Sequence, residues 1–487
     1  MEPNIADQVT PDTAHAALAP STRWALAALS LSMLMPSLDT SIANVGLPTL
    51  AQAFGASFQE AQWIVLAYLL AMTTLIVSAG RLGDIIGRRR LLLAGICLFT
   101  VTSLLCSIAG TLWLLVAARA AQGLGAAMMM ALTVALAGET VPKEKTGSTM
   151  GLLGTMSAIG TTLGAPIGGV LIAGFGWQAI FLINVPLGIA NFLLAYRYLP
   201  TDHQGQETDR VSFDKLGTML IALTLAAYAL AMTTGHGRFS QINAVLLLAA
   251  VFGLGLFVLA ETRTTSPLIR LMMFRNPVLS ASLIMNILVS TVMMATLVVG
   301  PFYLSHALGL QAAMIGLTLS VGPLVAALSG IPAGHFVDRI GAQRMVVVGL
   351  CAITTGSLLL FMLPLQSGIA GYVAPIATIT AGYALFQTAN NTTIMSNTGP
   401  DQRGAAAGLL SLSRNIGLIT GAAAMGAVFA LASSTADIMT AGPEAVATGM
   451  QRTFAVAAAL TGIALAVGSI GHTLALAQRA GLEIADE

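Results

Sequence analysis

The chain has 487 residues, of which 56% are apolar and 8% charged, and its net charge is +1. Water-soluble proteins carry roughly a quarter charged residues, so this chain has too few charges to solvate a particle of its size in water. The near-neutral balance also argues against a nucleic-acid partner. In lipid, every backbone polar group must be paired inside a helix or a closed barrel. Apolar runs of about 20 residues recur and strands of alternating polarity do not, so an all-α membrane protein is predicted.

Residues 1–22 are polar and Pro/Ala-rich, and read as a tail rather than a cleavable signal. Six spans are predicted next, at 23–47, 58–80, 91–109, 112–139, 148–173 and 178–199. A polar linker (200–213) leads to two further spans, 214–234 and 242–261. An amphipathic basic stretch, RTTSPLIRLMMFRNP, dominates residues 262–277 and is expected to lie on the membrane surface. Six more spans follow at 278–304, 312–334, 345–364, 370–397, 404–432 and 453–476, and residues 477–487 form a tail.

These fourteen spans put both termini on one side of the membrane. That side collects nearly all the Lys and Arg outside the spans, and the opposite loops hold only Arg238 and Arg452. Both termini are therefore expected to be cytoplasmic. The four tryptophans, Trp24, Trp63, Trp113 and Trp177, fall near span ends, as an interfacial belt requires.

The chain repeats itself. GRLGDIIGRRR (80–90) returns as GHFVDRIGAQR (334–344), so that Gly80, Asp84, Gly87 and Arg90 match Gly334, Asp338, Gly341 and Arg344. GLLGTMSAIGTTLGAPIGG (151–169) returns as GLLSLSRNIGLITGAAAMG (408–426), aligning Gly160, Gly164 and Gly169 with Gly417, Gly421 and Gly426. Two six-helix halves, 23–199 and 278–476, are thus predicted, with residues 214–261 inserted between them. Parallel repeats with a site at their interface are a recurrent transporter architecture.

The repeated loop fits a cytoplasmic gate built from Gly80, Asp84, Gly87, Arg88, Asp338 and Arg344. Gly80 permits close helix approach. Asp84 can pair with Arg88, or with the positive end of a helix such as the one starting near Gly404.

The loop resembles the signature loop of the major facilitator superfamily. Other segments resemble its fourteen-helix drug:proton antiporter family: LDTSIANVGLP (38–48), RAAQGLGAAMM (119–129), GTTLGAPIGG (160–169), WQAIFLINVPLG (177–188) and SPLIRLMMFRN (266–276). The resemblance implies a proton-driven exporter of small amphipathic drugs in a bacterial inner membrane. It implies a small-molecule substrate, protons and lipid as partners, a monomer, and no cofactor. It also attaches the antiporter role to Gly160, Gly164, Pro166, Gly168 and Gly169.

Two charges inside spans carry the coupling expectation. Asp39 in the first span costs at least about 2.5–3.5 kcal/mol in lipid and needs a reason to be there. Arg119, at similar depth in the fourth span, is the expected partner. Lipid favours a neutral carboxyl and a nearby cation favours the carboxylate, so an acid between these pulls can take up and release a proton. Asn44 and Gln122 are expected to extend the network. Tyr383, Gln387, Asn391 and Arg414 are expected to line a substrate cavity with them. Pro166 has Ala423 as its repeat partner, so a bend there is expected in the first half alone.

No Walker loop, nucleophile elbow or His/Cys metal cluster is legible, and an enzyme is not expected. The rival readings are a dedicated metabolite exporter, a nutrient:proton symporter, or a membrane receptor that transports nothing.

Overall fold

The computed structural model describes residues 20–141, 146–200, 214–233, 240–264, 271–396, 403–433 and 441–483. Every regular element among them is helical. The first half holds α1 (Pro20–Phe54), α2 (Phe58–Ile86), α3 (Arg88–Ser107), α4 (Leu112–Thr140) and α5 (Thr146–Phe175). Its last span is split by Ile183 into α6 (Ala179–Leu182) and α7 (Asn184–Tyr198). The insertion is α8 (Lys215–Thr233) and α9 (Gln241–Arg263), packed on each other. The second half holds α10 (Pro277–Phe302), α11 (Ala312–Ile340), α12 (Ala342–Phe361) and α13 (Gly368–Ser396). It continues as α14 (Arg403–Thr420), a π-helical segment (Gly421–Met425), α15 (Gly426–Ala432) and α16 (Pro443–Glu483).

Thirteen of the described helices are long and apolar enough to cross a bilayer, and the apolar stretch Leu216–Ala231 of α8 is shorter. The expected membrane fold is thus present. The lipid-facing residues look as they must: α9 exposes Leu248, Val251 and Phe252, and Trp113 is more than half exposed. Trp24 stacks on Tyr198 at 5.9 Å, and Trp177 packs against Phe54 at 5.1 Å.

Each half closes on itself through small residues. Gly95 and Gly125 bring α3 onto α4, where a Cβ on Gly125 would sit 2.8 Å from Phe99 N. Gly349 and Gly382 do the same for α12 and α13, again with 2.8 Å contacts to facing carbonyls. Without a hydrophobic drive between helices in lipid, such close backbone approach is what holds them together.

The repeat is visible in the backbone. Gly87 and Gly341 end α2 and α11 with φ +107° and +99°, a region that disfavours side chains. The close approach expected at Gly80 is absent in this conformation: a Cβ built there, or at Gly334, meets no atom within 4 Å. Asp338 and Arg344 are exposed, while Arg88 is half-buried beside Gly83. The side chains of Asp84, Glu139 and Arg403, and residues 265–270 of the amphipathic stretch, lie outside the described residues. Leu271–Arg275 of that stretch forms a 3-10 turn.

The halves meet at the end predicted to be external. There α5 packs on α11, with Gly169 against Ala312 and Gly316. Phe58 of α2 makes edge contacts with Phe302 of α10 at 4.7 Å and Phe429 of α15 at 5.4 Å. Toward the other end, a Cβ at Gly138, Gly154 or Gly330 meets no atom within 4 Å.

The helix irregularity expected only at Pro166 has a counterpart in the second half. The π-helical segment 421–425 occupies the repeat position of 164–168, with Ala423 in place of Pro166. The two halves disturb the same turn by different means, one by a missing N–H and one by a widened helical turn.

Candidate functional site

A buried polar cluster is built around Asp39 and Arg119, which are 1% and 0% exposed. Asp39 lies on α1 one turn after Pro36, whose missing N–H loosens that turn. Arg119 and Gln122 share one face of α4, three residues apart. Gly123 on α4 lies against the backbone of Tyr68 on α2, so the two helices approach closely. That closeness lets Arg119 Nε donate to the Ile64 carbonyl at 3.1 Å.

Arg119 Nη1 donates to Asp39 Oδ2 at 2.5 Å and to Gln122 Oε1 at 2.6 Å. Gln122 Nε2 donates to Asp39 Oδ1 at 3.1 Å and to Ser103 Oγ on α3 at 2.8 Å. Asn184 Nδ2, from the first residue of α7, donates to Asp39 Oδ1 at 2.7 Å. The guanidinium lies over the Tyr68 ring at 4.3 Å and near the Phe181 ring at 5.8 Å. Arg119 Nη2 is buried without a hydrogen-bond partner, facing these aromatic surfaces as a cation over π faces. The Asp39 carboxyl therefore accepts from three donors on two helices, all in a water-poor interior where each bond is strengthened.

The expected pairing of Asp39 with Arg119 is present, and Gln122 joins it. Asn44 does not. Its amide donates to the Thr40 carbonyl of its own helix at 2.9 Å, and its Oδ1 is buried without a partner. Asn44 lies five residues beyond Asp39, about 140° around the helix, so its side chain points to a different face from the cluster. Gln122 is fully buried inside the first half, so it serves the ion pair and does not line a cavity in this conformation. Each named partner of the pair belongs to the first half. Helix α1, which carries Asp39, also packs against α10 and α11 of the second half.

Tyr383, Gln387 and Asn391 form one half-buried stripe on α13, at four-residue spacing. Gln387 Oε1 is buried without a partner. Arg414 on α14 is exposed, and the adjacent Asn415 has a buried Nδ2 without a partner. Among the described residues, no hydrogen bond joins Arg414 to the α13 stripe.

The glycines of α5 divide by partner. Gly160, Gly164 and Gly168 pack on α1, where Cβ atoms would lie 2.5 Å from Leu34 O, 2.5 Å from Ser41 Cβ and 3.3 Å from Ile42 Cα. Gly169 faces the other half, 2.6 Å from Ala312 O on the same basis. Pro166 is half-buried beside them. The sequence reading missed Asn184, Ser103 and Tyr68. Asn184 carries the one available signal, an amide within an otherwise apolar run.

Among the described residues, no group of three or more His, Cys, Asp or Glu side chains is placed to hold a metal ion. The sequence model of the Major Facilitator Superfamily matches residues 29–422. The multidrug resistance protein Stp of Mycobacterium tuberculosis is 32% identical over 408 residues, covering 83% of this chain and 75% of Stp. The riboflavin transporter RibZ of Clostridioides difficile is 29% identical over 411 residues, covering 84% of this chain and 88% of RibZ. In shape, the chain resembles the crystal structure of a bacterial homologue of the human lysosomal transporter Spinster. The TM-score is 0.70 at 15% identity, with 94% and 98% of the two chains covered. A duplicated helical bundle, a buried ion pair and this family match together make the chain a multi-pass membrane transporter of the Major Facilitator Superfamily.

Proposed function

We propose that this chain is a proton-coupled antiporter that exports small amphipathic compounds, many of them cationic, by alternating access. The observation that carries the proposal is the Asp39–Arg119 pair, buried between membrane-spanning helices. All the groups aimed at the Asp39 carboxyl are donors. A proton arriving there turns one oxygen into a donor that faces another donor, so uptake must accompany movement of Arg119, Gln122 or Asn184. Because Asp39 and the inter-half contacts share α1, such a movement reaches the seam between the halves. One proton entering down a 100 mV potential supplies about 2.3 kcal/mol for the cycle.

The contacts of α5 with α11 and of Phe58 with Phe302 and Phe429 support an externally closed conformation, when oriented by the Lys and Arg distribution. The substrate enters from the cytoplasm between the halves, where Tyr383, Gln387, Asn391 and Arg414 offer polar anchors. The chain works as a monomer in the bacterial inner membrane with cytoplasmic termini and no cofactor. The names of Stp and other efflux relatives support a drug substrate. The riboflavin transporter RibZ favours a second reading, a transporter dedicated to one metabolite.

Everted vesicles test the proposal. With a proton gradient preformed, amphipathic cations added outside should collapse it in vesicles carrying the protein. A gradient that survives all such compounds rejects proton-coupled drug export.

A further inference from the structure

The two seams at the external end are related by the internal repeat but are built differently. In the repeat alignment, Gly316 on α11 corresponds to Gln62 on α2, Ala165 to Ala422, and Gly169 to Gly426. At the α5–α11 seam, the Ala165 carbonyl lies against Gly316: a Cβ there would be 2.5 Å from the oxygen. At the opposite seam the same carbonyl, Ala422 O, accepts a hydrogen bond from Gln62 Nε2 at 2.8 Å. Where one seam closes by backbone contact of small residues, the other is filled by a side-chain amide.

We infer that Gln62 is the residue that holds the external end shut, by donating across the halves to the π-helical segment 421–425. Three independent features support this. Gln62 is 2% exposed, so its amide needs a partner, and an unmade bond there is costly. Gly426 leaves the space that the Gln62 amide occupies: a Cβ on residue 426 would overlap Gln62 Nε2. The acceptor lies in a π turn, a widened turn that disturbs the regular ladder of a helix. The inserted helix α8 packs against this segment. Both partners of the bond are buried, Gln62 at 2% and Ala422 at 1% exposure, and Phe58, one turn before Gln62, packs across the halves on Phe302 and Phe429. Opening to the outside must break this bond, whereas the Gly169–Gly316 contact has no side-chain bond to lose.

The inference rests on the alternating-access part of the proposed function and is independent of proton coupling. Its test uses the full chain in nanodiscs, with Cys97 and Cys351 replaced by serine. Spin labels are placed on Gln52→Cys and Glu444→Cys at the external end. A second pair sits on Ile86→Cys and Gln343→Cys at the other end. Gln62→Leu removes the donor, and Gly426→Ala expels the amide while leaving Gln62 in place. Both variants should raise the long-distance population at the external pair about 5-fold, the weight of one net hydrogen bond. The other pair should shorten in step. If the wild-type distances change with conditions and both folded variants superimpose on it, the latch is overturned while alternating access stands. If the wild type holds one distance under every condition, alternating access fails and the latch falls with it.

Discussion

Replacing Asp39 by Asn keeps the shape of the side chain and removes its charge. In the structure, Asp39 Oδ2 meets Arg119 Nη1 at 2.5 Å, and Oδ1 meets Asn184 Nδ2 at 2.7 Å and Gln122 Nε2 at 3.1 Å. An amide supplies one acceptor oxygen and one donor nitrogen, so either Arg119 or the pair of neutral amides faces N–H groups. Arg119, with no exposure to water, is then a charge without a counter-charge. Breaking a buried pair in this way costs about 3–5 kcal/mol. Asp39→Asn with Arg119→Gln removes both charges, and should cost less than Asp39→Asn alone. The assay is a double-mutant cycle read by denaturant unfolding in detergent micelles. A single variant within about 1 kcal/mol of wild type, or two substitutions that simply add, refutes the reasoning that the pair is a coupled, water-free unit.

Two further outcomes follow from backbone geometry. Gly87→Ala and Gly341→Ala each force a side chain into positive φ, at +107° and +99°. Each should destabilise by about 1–3 kcal/mol, and by similar amounts, because the repeat gives them the same turn; loss at only one contradicts the equivalence. Gly169→Ala puts a Cβ 2.6 Å from the Ala312 carbonyl, a backbone atom that cannot swing aside. It should cost about 1–3 kcal/mol in the externally closed state alone. Labelling of an external-end cysteine by a membrane-impermeant thiol reagent should therefore speed up; an unchanged rate argues that the α5–α11 contact does not gate that end.

The fold was legible because lipid imposes long apolar runs, and because Gly-x-x-x-Asp-x-x-Gly recurs at 80–87 and 334–341. The Asp39–Arg119 pairing was legible for the same reason: charges are costly in lipid, so the few present must meet. Neutral partners were not. Asn184 and Ser103 cost little in an apolar helix, and nothing in the sequence says which way they face. Asn44 looked like a member of the network because it lies close to Asp39 in sequence, yet a spacing of five residues turns it to another face of α1. The π turn at 421–425 leaves no mark in composition, and the donor to its Ala422 carbonyl, Gln62, is 360 residues away in the chain. The last helix begins at Pro443 and not near 453, because apolarity marks where lipid starts and not where a helix does. Its polar first turns instead reach the second half's own loop, where Gln451 Nε2 donates to Leu363 O at 2.7 Å.

If Asp39 couples transport, a proton and the substrate compete for the protein, and that competition can be counted directly. Purified protein in weakly buffered detergent is mixed with tetraphenylphosphonium, and the released protons are titrated across pH. The wild type should release protons as the cation binds, and Asp39→Asn should bind the same cation with no release. A wild type that binds without releasing protons at any pH, or an Asp39→Asn variant that releases as many, contradicts the assignment of the coupling site to the Asp39–Arg119 pair.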